Sequence, residues 1–124
     1  MSVILKTFSN HIQDFIEDVE RVFPEDRDIR RAKTAIETLK KTNPRLLVLG
    51  WKEHVTVKYG ETIMNGDISF FLEKDYSTDV EGDMTILDAI RRLREPIKNM
   101  GEENQNKVMK YIQNLTKLSM MYEG

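Results

Sequence analysis

The residues best suited to chemistry in this chain are ten bases, two histidines and a run of aspartates. Arg27, Arg30, Arg31 and Lys33, then Lys40, Lys41 and Arg45, and separately Arg91, Arg92 and Arg94, are the side-chain types that meet phosphate oxygens. On a helix, Arg27, Arg30/Arg31 and Thr34 would project along adjacent faces. Against nucleic-acid binding stand a net charge of −2, the interruptions at Asp28 and Glu37, and the absence of aromatics interleaved with the bases. A solvated face, or one paired with the acidic residues 61–88, accounts for the bases more simply. His11 and His54 fall in different segments, and neither stands in a His-Glu-x-x-His or similar ligand pattern. His11 sits at the edge of an apolar face and His54 on a polar flank, as ordinary boundary residues do. In the aspartate run, Asp75, Ser77, Asp79, Glu81 and Asp83 occupy alternate positions of a calcium-loop register. That register puts Val80 where the tight turn wants glycine and Ile86 where a bidentate glutamate belongs, so a solvated loop is expected instead. The pairs Glu17/Asp18 and Glu102/Glu103 fit helix starts and solvent faces. No nucleophile elbow, phosphate-binding glycine loop or dinucleotide fingerprint is present. No catalytic residue, cofactor or metal site is therefore expected.

The element that must position these groups is Asn43–Gly66, NPRLLVLGWKEHVTVKYGETIMNG. Asn43 is an N-cap type, Pro44 suits a first helical residue, and Asn65-Gly66 supplies a left-handed stop. Leu47, Trp51, Val55, Tyr59 and Ile63 recur at steps of four beside Val48, which predicts one apolar stripe on a central helix. Leu46, Leu49 and Val57 lie off that stripe, so the helix is expected to be buried nearly all round at its start. The rival reading is two strands, RLLVLGW and HVTVKYG, favoured by Gly50 and by the alternation of Val55, Val57 and Tyr59. The turn it needs, at Trp51-Lys52-Glu53, has no turn chemistry.

Around that helix the spacing predicts others. Residues 3–23 carry Ile4, Leu5, Phe8, Ile12, Phe15, Ile16, Val19, Val22 and Phe23 on one face, until Pro24 breaks the helix. Glu25, Asp26 and Asp28 open a second helix to about Lys41, with a thin stripe of Ile29, Ala32, Ala35, Ile36 and Leu39. Asp67 can cap a short helix, ISFFLEK, whose Phe70 or Phe71 is expected to plug the core, and residues 75–83 read as a surface loop. A helix from about Met84 places Ile86, Leu87, Ile90 and Leu93 inside and is ended or kinked by Pro96, with Ile97 and Met100 continuing the spacing. The last helix opens at Glu102-Glu103 and turns Val108, Tyr111, Ile112, Leu115, Leu118 and Tyr122 inward. The seven methionines are expected mostly as core filler, with Met120 and Met121 a candidate binding patch. The expected fold is all-α: residues 1–124 as a single compact bundle of about five helices plus one short helix.

Composition agrees. The chain is 40% hydrophobic and 32% charged, which suits small helical proteins with charged outer faces. It holds no cysteine, which excludes disulfides and thiolate chemistry. Charge comes in blocks: −5 over residues 10–26, +6 over 27–60, −7 over 61–88 and +3 over 89–124. Such blocks can satisfy one another or present faces of opposite sign to partners. No apolar run reaches membrane-spanning length, and MSVILKTFSNHIQDF turns polar too early for a signal peptide. The expectation is a cytoplasmic protein without a membrane partner, in which the Asn114-Leu115-Thr116 sequon is a chance match.

The segments DFIEDVERVFPEDRDI (14–29), KKTNPRLL (40–47), GDISFFLEKDYSTDV (66–80), LDAIRRLREPIKNM (87–100) and YIQNLTKLSMMY (111–122) cover most of the chain. In overall texture they resemble small helical proteins of no assigned activity encoded by large DNA viruses of algae and other protists. The resemblance implies a place in the host cytoplasm or the virion, and it brings no family site residues. Together these readings give a non-enzymatic viral interaction or structural protein, a virion component or an accessory factor, whose partner is another protein or a second copy of itself. The alternative is a nucleic-acid-binding helical domain using the second helix and the Arg91–Arg94 region.

Overall fold

The computed structural model describes residues 3–67 and 85–122, and all its regular structure is helical. Helix α1 spans Val3–Val22, α2 Arg27–Thr42, α3 Pro44–Trp51, α4 Val57–Met64, α5 Thr85–Lys98 and α6 Glu102–Met121. A π-helical turn, Lys52–Thr56, joins α3 to α4, so Pro44 to Met64 is one continuous helix. This is the all-α bundle the spacing predicts, and the two-strand reading of residues 45–60 is excluded. The short helix over 68–74, the Phe70 or Phe71 plug and the loop 75–83 with its cation register lie outside the described residues, and of Ile86, Leu87 and Ile90 only the backbone is described.

Helix α2 starts where its acids predict. The Asp26 carboxylate accepts hydrogen bonds from the backbone N–H groups of Asp28 (2.8 Å) and Ile29 (3.1 Å), satisfying two donors that a helix start leaves orphaned. Asn43 occupies the corresponding place before α3, but its side chain makes no capping bond, contrary to its residue type. Its backbone N–H instead closes α2 on the Leu39 carbonyl at 2.8 Å. Helix α4 stops as expected. Gly66 takes φ +81°, its N–H reaches the Ile63 carbonyl, and Asp67 N–H reaches the Thr62 carbonyl, the bond pair of a Schellman stop. Pro96 does not end α5, which continues to Lys98 with Pro96 buried inside it.

Helix α3 is central: it packs on α1, α2, α5 and α6. Helix α1 lies between α2 and α6, and α5 runs along α2. The core joins Phe8, Ile12, Phe15 and Ile16 of α1, Ile29 and Ile36 of α2, Leu47, Val48, Trp51 and Val55 of the central helix, Leu93 and Ile97 of α5, and Ile112 and Leu115 of α6. The helix is not buried all round, however. Leu46 is 47% exposed and Val57 75%, because the stripe alone faces the other helices. Of the described methionines, Met100 and Met109 are buried, whereas Met64, Met120 and Met121 face solvent, which corrects the core-filler expectation.

The π turn has a reason in the spacing. Each step of four residues overshoots a 3.6-residue turn by about 40°, so four such steps would carry the stripe from Leu47 about 160° round the helix. At the turn, Val57 N–H reaches back five residues to the Lys52 carbonyl. The wider turn takes back much of the drift and keeps Leu47, Trp51, Val55 and Ile63 on one buried face. Tyr59, at the step between, is only half-buried, and Gly60 takes the inner place.

Candidate interaction site

A concave surface lies between α1 and α6. Phe15, Val19 and Val22 of α1 line it with Met100 and with Val108 of α6, and Asp18, Arg21, Asn104, Lys107 and Tyr111 form its polar margin. Helical periodicity places these groups: 15, 18, 19 and 22 share one face of α1, and 104, 107, 108 and 111 share one face of α6. Its volume is about 290 Å³, just under the range of pockets for drug-sized ligands. Val22, expected in the core stripe, is 37% exposed at this margin.

One polar constellation fixes the margin. The Tyr111 hydroxyl donates to Asp18 Oδ2, and Arg21 Nη1 donates to Asp18 Oδ1. The Tyr111 ring is tilted against Phe15 (centroids 5.6 Å apart) and against His11 (5.0 Å). The hydrogen bond to Asp18 pushes the Tyr111 pKa up to about 12, with burial and the charges of Asp18 and Asp14 adding to it and Arg21 opposing. Tyr111 is therefore a fixed donor at neutral pH, and both Asp18 oxygens are engaged. Lys107 and Lys110 stand exposed beside this pair and make no ion pair among the described residues.

His11, on the far side of Tyr111, is half-buried, and its Nε2 is buried without a hydrogen-bond partner. Burial lowers its pKa from the ordinary 6.5, and the nearby Asp14 partly offsets the effect. The folded state then binds a proton less readily than the unfolded chain, so stability present above pH 6.5 is lost as the pH falls below it. In urea titrations, the parent is expected to lose more stability between pH 7 and pH 5.5 than His11→Gln. Equal losses would contradict this placement. His54 lies on the π turn, half-buried, and the two histidines do not converge.

The ten bases do not form one surface. Arg92 Nη1 bonds Asp28 Oδ1 at 2.8 Å, Lys33 bonds Glu20 at 2.9 Å, and Arg30 donates to the Pro24 carbonyl at 3.0 Å. Arg45 and Arg94 are engaged as well. Arg27 and Arg31 are exposed near the start of α2, where Arg92 joins them, and Arg91 lies on neighbouring α5. Lys40 and Lys41 sit at the other end of α2, about 20 Å away by helical rise, next to Arg45. The carboxylates that the described bases are seen to meet are thus Glu20 and Asp28, and most of the 61–88 block lies outside the described residues. Among the described residues no three of His, Asp and Glu gather as metal ligands would, and no helix is long and apolar enough to cross a membrane.

Sequence reasoning assigned no role to Asp18, Lys107 or Tyr111. Asp18 and Tyr111 are 93 residues apart in sequence, and nothing in either helix alone announces the pairing. No protein-family model, curated protein or solved structure matches the chain.

Proposed function

We infer that this chain is a non-enzymatic interaction protein whose α1/α6 cleft takes an apolar side chain from an acidic stretch of a partner protein. The observation that carries this reading is the unequal use of charge at the cleft margin. The one lining carboxylate, Asp18, is committed to Tyr111 and Arg21, whereas Lys107 is exposed and makes no ion pair among the described residues. An apolar floor with surplus positive charge at its rim complements an apolar anchor flanked by Asp or Glu. The volume suits one anchoring side chain, which is how compact interfaces concentrate their affinity. The textural resemblance to proteins of large DNA viruses supports a setting in an infected cell or a virus particle, with a viral or host protein, or a second copy, as partner.

Selection from a random-peptide library against the full chain tests this. Enriched peptides should carry one large apolar residue between acidic ones. Enrichment of basic peptides, or none at all, would contradict the reading.

A second reading, nucleic-acid binding through α2 and Arg91, Arg92 and Arg94, draws support from Arg27 and Arg31, exposed one turn apart beside Arg92. It requires affinity that falls steeply with added salt. Absence of binding to single- and double-stranded oligonucleotides at low salt removes it.

A further inference from the structure

The π turn that keeps the core stripe straight also aligns side chains on the outer side of the same helix. Leu49, Val57 and Met64 stand eight and seven residues apart. The π turn absorbs one of the eight, so each interval amounts to two α-helical turns. All three side chains are exposed, Val57 to 75%. Helix α6 widens this apolar row. Gln113 Nε2 donates to the Ile63 carbonyl at 3.1 Å, and the Met120 methyl lies 3.6 Å from where a Gly60 side chain would begin. Gly60 stands between Val57 and Met64 on the helix, so Met120 reaches across the α4/α6 seam beside them, and it is still 50% exposed.

Opposite charges border the row at one height. Glu61, one turn on from Val57, is exposed on the α4 side. Lys117 shares a face of α6 with Gln113 and Met120 and is exposed on the other side. Gln113 bonds at Ile63 and Met120 lies over Gly60, which sets Lys117 level with Glu61. Neither charge makes an ion pair among the described residues. The four apolar side chains make a patch of a few hundred Å², as large as monomers commonly leave uncovered. It would fill about half of the 800 Å² that each partner brings to a standard interface, and the charged edges would supply the polar rim.

We propose that this chain forms a two-fold homodimer through the outer face of α4 and the end of α6. An apolar strip with an acid on one edge and a base on the other is complementary to itself. A two-fold axis running along the strip lays the α4 edge of each copy over the α6 edge of the other and preserves height, so each Glu61 faces the other copy's Lys117. An axis across the strip would set acid on acid and base on base, which the charges disfavour. Met120 lies nine residues beyond Tyr111, two and a half turns, and so on the opposite side of α6 from the α1/α6 cleft. The cleft stays open in this dimer, and the peptide-binding reading does not depend on it.

Sedimentation equilibrium of the full chain at physiological salt, from about 1 μM to 1 mM, tests the proposal. A monomer–dimer equilibrium within that range is expected. Val57→Asp should weaken association about tenfold or more, because it buries an unpaired charge twice in each dimer. Glu61→Lys and Lys117→Glu should each weaken it about tenfold or more, since either change brings like charges together at two places. Combining the two restores opposite signs and should return the dissociation constant to within about threefold of the parent's. The substituted side chains are exposed, so circular dichroism should show every variant folded as the parent. A monomeric mass at every concentration would overturn the proposal and leave this face to a different partner. A dimer indifferent to Val57→Asp, or a double variant that associates no more tightly than the single ones, would overturn the assigned face and its axis.

Discussion

Trp51→Ala is expected to destabilise the protein by about 3–5 kcal/mol, the range for truncating a buried aromatic side chain. Trp51 is 1% exposed, in the one helical segment that packs on all four other helices. Its ring meets Phe8 edge-on at 6.3 Å between centroids, an orientation that favours the positive edge of one ring against the face of the other. Truncation leaves a cavity where α1, α3 and α6 meet, and neighbours held from several directions collapse into it poorly. Small domains are stable by only about 5–15 kcal/mol, so the variant should be partly unfolded at physiological temperature if the parent lies at the lower end. Urea titration followed by circular dichroism reads this directly. A midpoint equal to the parent's would remove Trp51 from the centre of the core.

Thr116→Val is expected to cost about 1–3 kcal/mol although it barely changes side-chain volume. Trp51 Nε1 donates to Thr116 Oγ1 at 3.2 Å, and that hydroxyl donates to the Ile112 carbonyl at 2.8 Å. Thr116 is fully buried, so valine leaves the indole N–H without an acceptor and without water. Combining Thr116→Val with Trp51→Phe removes donor and acceptor together. The double variant should therefore be destabilised by less than the sum of the two single changes. Strict additivity would show that the bond carries no stability. A second bond lies nearby: Thr56 and Ser119 share one at 2.6 Å, and Ser119 donates to the Thr116 carbonyl. Small residues at 116 and 119 let α6 approach the π turn, and the Met120 methyl lies 3.6 Å from where a Gly60 side chain would begin.

These bonds mark the border between what the sequence revealed and what it hid. The five long helices were legible because apolar residues recur at helical spacing and the stops are chemically explicit, as at Asp26 and Gly66. The π turn was visible only as an excess: steps of four sustained from Leu47 to Ile63 are too long for a straight α-helix. Asn43 misled, because residue type states what a side chain can do, whereas the tight α2–α3 junction decides which bond its backbone makes first. The basic block misled in another way. Neighbours in sequence such as Arg30, Arg31 and Lys33 point in different directions from a helix, and the carboxylates the bases meet, Glu20 for Lys33 and Asp28 for Arg92, depend on how helices lie against one another. The α1/α6 cleft was illegible for the same reason. Tyr111 read as an inner-stripe residue and Asp18 as a solvent-facing acid. Their pairing exists only once α1 has been placed against α6.

The functional reading depends on spare positive charge above an apolar floor, with Asp18 held by Tyr111 and Arg21. The most direct measurement is the affinity of an acid-flanked apolar peptide for the parent and for Lys107→Glu, by fluorescence anisotropy at physiological salt. Lys107 is exposed, so the variant should keep the parent's fold and thermal midpoint. Binding to Lys107→Glu should be at least tenfold weaker; equal affinity for the two proteins would contradict a role for that charge.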